Sequence, residues 1–233
     1  NDGTAAESWG LCVQGISRIR YAATAAAQGG ASVRSVQFRF AGQELTGTTG
    51  TTAVIGISGT LRPTVTVTDS RGLTAYEDFS ITLLAYAKPA LNGVKLYRSD
   101  AEGKAADSGT HIAGAATAKY SSLGGKNSVT IKGYWKSVGG SYGSGVAMQA
   151  GTAKVISGST TLSTEKSYTA KVIATDSLGN TASYEATIPT EKVAFHLKAG
   201  GDGAAFGKAA EKSKALELAA ELHKDFCSRW IGR

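Results

Sequence analysis

Val65-Thr66-Val67-Thr68-Asp69-Ser70-Arg71-Gly72-Leu73-Thr74-Ala75 returns later in the chain as Val172-Ile173-Ala174-Thr175-Asp176-Ser177-Leu178-Gly179-Asn180-Thr181-Ala182. Seven of the eleven positions are identical, and Asp176 follows Asp69 by 107 residues. A period near one hundred residues is that of a duplicated domain, not of a 20–50-residue solenoid unit. Each copy reads as a hairpin. Valine alternates with threonine as in a half-buried strand. The aspartate can accept backbone N–H bonds and so start a turn, and the glycine supplies the left-handed residue that ends it. Asp69, Gly72, Asp176 and Gly179 are therefore the turn-defining residues.

Upstream of each hairpin, further short apolar runs are separated by turn clusters at the spacing of a β-sandwich. In the first copy strands are expected near 16–23, 33–40, 52–57, 62–68 and 73–84, with Gly29-Gly30 and Gly47-Thr48-Thr49-Gly50 as breakers. In the second copy they are expected near 93–98, 115–120, 128–136, 146–149, 153–156, 167–175 and 181–188. Pro89, which cannot donate to a strand ladder, marks the join. The expected fold is all-β: two tandem immunoglobulin-like or fibronectin-like sandwiches over 1–86 and 87–190, then a short Gly-rich segment, 191–233. Within that segment Val193–Leu197 and Ala204–Lys208 read as a hairpin. From Ala209 to Phe226 the composition favours helix, with Leu218, Leu222 and Phe226 at i, i+4, i+8; a short strand at Leu216-Glu217-Leu218 competes.

Composition fits this reading. Glycine supplies 30 of 233 residues and charged residues 18%, while an apolar fraction of 42% is enough to build cores. No apolar run approaches the ~18 residues of a membrane span. Opening on Asn1 without a leader, the chain is expected to begin inside a longer polypeptide. The net charge of +7 comes from singly scattered basic residues, among them Arg34, Lys95, Arg98 and Lys136. These read as a solvated strand face and not as a nucleic-acid patch. Cys12 and Cys227 are far apart in sequence and read as free thiols, which suits assembly in a reducing cytosol.

Catalytic and metal-binding sets are not legible. The three histidines, His111, His196 and His223, have no ligand spacing, and no GxSxG elbow occurs. Gly207-Lys208 is followed by alanine, so the glycine-rich stretch before it departs from a phosphate loop. Asp100, Glu102 and Asp107 read as a solvated loop. No cofactor is expected, and the chain reads as a non-enzyme. Two aromatic residues stand out as candidate surface contacts. Trp135 lies on a central strand, where core packing competes with a role as a sugar-stacking platform. Tyr142 sits in the loop Gly139-Gly140-Ser141-Tyr142-Gly143-Ser144-Gly145, whose composition is that of a binding loop.

The TDSxGxTA hairpins at Thr68–Ala75 and Thr175–Ala182 carry a resemblance to minor structural and tail proteins of long-tailed bacteriophages. So do Gly15–Ile19 and Ala90–Arg98, which open the two copies. The C-terminal stretch Val193–Glu211, which carries the form FHxxxxGxGxxxGKxAE, is the more specific part, and the resemblance covers most of the chain. It implies a virion component of the tail, assembled in the host cytoplasm, with a structural or host-adsorption role and no catalysis. Its partners would be other tail proteins, further copies of the chain (a trimer is the expected number) and a host-surface glycan. It also favours hairpins over helix across 193–219. The runner-up readings are a bacterial surface adhesin or carbohydrate-binding module, and an accessory region of a cell-wall hydrolase.

Overall fold

In the computed structural model the described residues are 5–191, 195–198, 200–206, 210 and 212–218. Apart from one helical turn, α1 (Ala5–Ser8), every regular element among them is a strand. The chain is all-β. It divides into two compact units that do not follow the sequence continuously. The first comprises Asn1–Ala90, Ala118–Thr130 and Ala174–Ala182; the second comprises Leu91–Thr117, Ile131–Ile173 and Ser183–Arg233.

The first nine strands are β1 (Cys12–Val13), β2 (Arg20–Ala22), β3 (Val33–Phe40), β4 (Gln43–Thr46), β5 (Thr49–Thr51), β6 (Gly59–Leu61), β7 (Thr64–Asp69), β8 (Thr74–Asp78) and β9 (Ile81–Leu84). They form a four-stranded sheet, β4-β3-β7-β8, a three-stranded sheet, β1-β9-β6, and the pair β2-β5. The alternation of β3 puts Val36, Phe38 and Phe40 inward, where Phe38 stacks on Tyr21 with ring centroids 4.2 Å apart and planes within 8°. Ile19, Ile55 and Leu83 complete this core. Tyr21 pairs across strands with Gly50, and a Cβ at Gly50 would stand 2.6 Å from the tyrosine ring. The glycine is what lets the ring lie flat on the neighbouring strand.

Two expectations fail in this half. The strand read at 73–84 is broken at Phe79-Ser80: β8 pairs with β7 while β9 crosses to the other sheet, pairing with β1 and β6. An apolar run satisfies either sheet equally, so periodicity could not locate the crossing. The strand read at 52–57 is irregular chain. Its Thr52 and Ile55 are nonetheless buried, which explains the apolar signal, and the paired strand lies earlier, at β5 inside the expected breaker.

The next strands are β10 (Ala90–Ser99), β11 (His111–Lys119), β12 (Val129–Ser137), β13 (Val146–Met148), β14 (Lys154–Val155), β15 (Tyr168–Asp176) and β16 (Thr181–Ile188). They form a three-stranded sheet, β10-β11-β14, and a four-stranded sheet, β13-β12-β15-β16. Seven strands ordered 1-2-5 and 4-3-6-7 make a Greek-key sandwich of fibronectin type. The residues of β15 alternate strictly between buried and half-buried, with Tyr168, Ala170 and Val172 facing the second unit's core beside Ile112, Ile131 and Ile156.

Three short strands follow: β17 (Phe195–Leu197), β18 (Ala204–Phe206) and β19 (Leu216–Leu218). β17 and β18 form the expected antiparallel hairpin, with Phe195 opposite Phe206. Leu216–Leu218 is strand, not helix, and it joins β18 in parallel, so this second pairing is not a hairpin. Residues 212–215 of the expected helix are turn and irregular chain, while 209, 211 and 219–226, together with Lys208, Cys227 and Trp230, lie outside the described residues.

The two repeated turns share one hydrogen-bond pattern. Asp69 Oδ1 accepts the N–H groups of Arg71 and Leu73, both at 2.9 Å, and Asp176 Oδ1 accepts those of Leu178 at 3.0 Å and Asn180 at 2.9 Å. The N–H of Gly72 donates to Asp69 O and that of Gly179 to Asp176 O, each at 3.0 Å. The glycines have φ of 87° and 83°, and no atom of the described residues lies within 4 Å of where a Cβ would stand. A side chain there would therefore meet backbone strain and no steric clash. Gly72→Val and Gly179→Val are each expected to destabilise by about 1–2 kcal/mol, read as a lower thermal midpoint; unchanged midpoints in both would contradict the turn assignment.

Candidate interaction surface

On β12, β15 and β16 the alternation that sends Ile131 and Val172 inward sends Tyr134, Lys136 and Lys171 to the opposite face. Tyr142, expected at an exposed loop tip, is folded back onto that face and is half-buried. Its ring meets Tyr134 edge-on with centroids 6.3 Å apart. The ammonium groups of Lys136 and Lys171 lie 4.8 and 4.4 Å from its centroid, a cation–π clamp from both lysines. Its hydroxyl is buried without a well-formed hydrogen bond. Burial, followed by the nearby Glu185 carboxylate, pushes its ionisation up to about 12. Gly145 closes the loop against Tyr134, whose ring would overlap any Cβ placed there.

Trp135 points the other way and is partly exposed. Its ring lies against buried Tyr168, with centroids 5.9 Å apart and planes at 69°. Between Trp135 and the loop runs a groove of about 370 Å³, lined also by Lys136, Ser137, Gly140, Ser141, Gly143 and Ser144. The structure thus places the two candidate aromatics on opposite sides of one loop.

Arg98, read from sequence as a solvated basic residue, is 6% exposed. Its guanidinium donates to four backbone carbonyls: Pro189 at 2.7 Å, Gly109 at 3.1 Å, Ser163 at 3.3 Å and Lys166 at 2.6 Å. Its Cζ also lies 5.6 Å from the centroid of Tyr168. A planar cation with five donors suits such a convergence of carbonyls. Composition held no signal for it, because an arginine on an alternating strand reads as outward-facing until the surrounding loops are in place.

In the first unit the second oxygens of the two turn aspartates differ. Asp69 Oδ2 takes the Arg71 guanidinium at 2.9 and 3.1 Å, and Arg71 reaches on to Gln28 O at 3.0 Å. Burial raises the Asp69 pKa, but Arg71 and the turn amides outweigh it and hold the carboxyl below its ordinary value of 3.8. At the equivalent turn Leu178 replaces Arg71. Leu178 packs into a cluster with Ala6, Val13 and Leu123, and Asp176 Oδ2 accepts the Tyr86 hydroxyl at 2.6 Å. Burial, then the hydrogen bond to and charge of Asp176, raise the Tyr86 ionisation well above its ordinary 10.0.

The strands β17–β19 present a different surface. Their pairing places Phe195, Leu197, Phe206 and Leu216 on one face, and these are 49%, 58%, 40% and 63% exposed. Phe195 and Phe206 touch, with centroids 4.9 Å apart. Among the described residues no group of three or more His, Cys, Asp or Glu is placed to hold a metal, and no helix is long and apolar enough to cross a membrane.

Neither a family model nor a curated protein matches the sequence. Among solved structures, fibronectin(III)-like modules of Clostridium thermocellum CbhA are similar at 14% identity and a TM-score of 0.33, covering 77% of this chain and 90% of that one. A structure of a 1.5-MDa bacterial ice-binding adhesin, described for its retention at the host cell surface, is similar at 15% identity and a TM-score of 0.38; 74% of this chain and 59% of that one are covered.

Two outcomes follow for stability. Arg98→Met is expected to destabilise the second unit by about 2 kcal/mol, because the charged donor to four carbonyls, that of buried Gly109 among them, would be lost; chemical denaturation measures it. The contribution of Tyr86 is fully present below pH 10.0, its unfolded value, and is lost as pH rises towards the raised folded value. Tyr86→Phe is therefore expected to lower the thermal midpoint at neutral pH and to flatten its decline on the alkaline side.

Proposed function

We propose that the chain is a non-enzymatic structural protein of a bacteriophage tail, a spacer and assembly module that also takes part in adsorption to the host surface. In this reading residues 1–86 and 87–190 are two immunoglobulin-like sandwiches in tandem, and 191–233 is an assembly segment. The observation that carries it is the exposed apolar face of Phe195, Leu197, Phe206 and Leu216, the first three of which lie within the stretch that resembles tail proteins. So small a sheet buries too little to stand alone, and among the described residues no metal cluster staples it. Its partners are further copies of this chain, with a trimer expected, and other tail proteins. A host-surface glycan is the adsorption partner.

Two measurements test the reading. Antibody raised against the chain and viewed on purified particles by electron microscopy should label the tail. Label confined to bacterial cell surfaces in particle-free cultures would overturn the virion assignment and leave the adhesin alternative. Sedimentation of the full chain at micromolar concentration should give an oligomer, and Leu197→Glu with Leu216→Glu should reduce it to monomer. A wild-type chain that runs as a monomer would remove the self-assembly role.

A further inference from the structure

The loop at 139–145 is pinned on one side and open on the other. Tyr142 anchors it to the sheet, with two lysine ammonium groups over its ring and its hydroxyl buried. The N–H of Gly140 donates to Ser137 O at 2.9 Å, fixing the turn into the loop. With its tyrosine turned to the sheet, the loop offers Gly140, Ser141, Gly143 and Ser144 to the groove, opposite Trp135 and Ser137. The floor is as rigid as the wall. Trp135 rests on Tyr168, and Tyr168 lies beside an arginine fixed by four carbonyls. Such preorganisation reduces the ordering cost of binding.

We propose that this groove binds a saccharide, with one pyranose ring stacked on Trp135 and its hydroxyls bonded by Ser137, Ser141 and Ser144. A pyranose is amphipathic in the same sense as the groove. One face carries C–H groups that suit an indole surface, and its edge carries hydroxyls that need partners able both to donate and to accept, as serine does. The volume of about 370 Å³ falls within the ~300–1,000 Å³ of small-ligand sites. Charge argues against other classes. Among the described residues no carboxylate lines the groove to attract a cationic ligand, and the cation that does, Lys136, has its ammonium over Tyr142 instead of placed for a phosphate. The proposal deepens the adsorptive part of the reading above and rests on it only for where the saccharide is met. Binding in solution tests the groove and labelling of particles tests the virion assignment, so either can fail alone.

The test uses the full chain with 15N-labelled tryptophan, whose three indole signals are assigned through Trp135→Phe. Maltotriose, chitotriose and sialyllactose are titrated to millimolar concentration as neutral, N-acetylated and acidic probes. At least one is expected to shift the Trp135 indole signal saturably. Gly143 has no positive φ, and no atom of the described residues lies within 4 Å of its Cβ position, so Gly143→Leu should fill the groove without straining the fold. This variant should keep the wild-type thermal midpoint and weaken binding by about tenfold or more. Tyr76→Ala, on a surface residue 77% exposed in the other unit, should leave binding unchanged. The proposal is overturned if none of the three probes shifts the Trp135 signal saturably. It is overturned equally if binding survives Gly143→Leu undiminished.

Discussion

One carboxylate oxygen that accepts two backbone N–H groups governs each sheet-closing hairpin. At Asp69 and at Asp176 the same oxygen takes the amides two and four residues on, and a glycine at φ near 85° returns the chain. This fixes the register between the strand before and the strand after, and register fixes which face of each strand is buried. At the first hairpin it sets Thr68 opposite Thr74 and carries Val65 to Glu77. The order 4-3-6-7 of the larger sheet in the second sandwich ends on such a turn, as does β4-β3-β7-β8 in the first.

Since the backbone clasp uses only one oxygen, the other is free to differ, and a single position decides how. Arg71 turns Asp69 inward on its own hairpin, forming a local ion pair that also reaches the carbonyl of Gln28. Leu178 at the matching place carries no charge to answer Asp176. Its side chain instead joins the apolar cluster of Ala6, Val13 and Leu123, while the free oxygen accepts Tyr86. An arginine in place of Leu178 would bring a guanidinium into that cluster, where burial opposes the charged form. Two turns with the same backbone are thus put to different uses by side chains alone.

Arg98 shows the same economy in the second unit. Four loop carbonyls converge on one buried guanidinium. The residue that organises them also steadies Tyr168, and through it Trp135. Removing a buried polar group's partner is more damaging than the net strength of the bond implies, and the Gly109 carbonyl is such a group.

The all-β class, the repeated hairpin and its turn chemistry were legible in the sequence because each rests on local physics. Alternation has a period of two, aspartate and glycine have their own backbone preferences, and seven matched positions at one offset need no tertiary contact to be seen. Trp135 and Tyr142 could be picked out as aromatic residues, but not the sides of the loop they occupy. What only the tertiary structure decided involves partners distant in sequence. Phe79-Ser80 marks a change of sheet because β1 and β6 supply new neighbours for β9. Leu216–Leu218 becomes strand because β18 offers a parallel edge. Arg98 becomes an internal residue because carbonyls as far away as Pro189 close around it. A residue's hydropathy is its own, but its burial belongs to the chain that surrounds it.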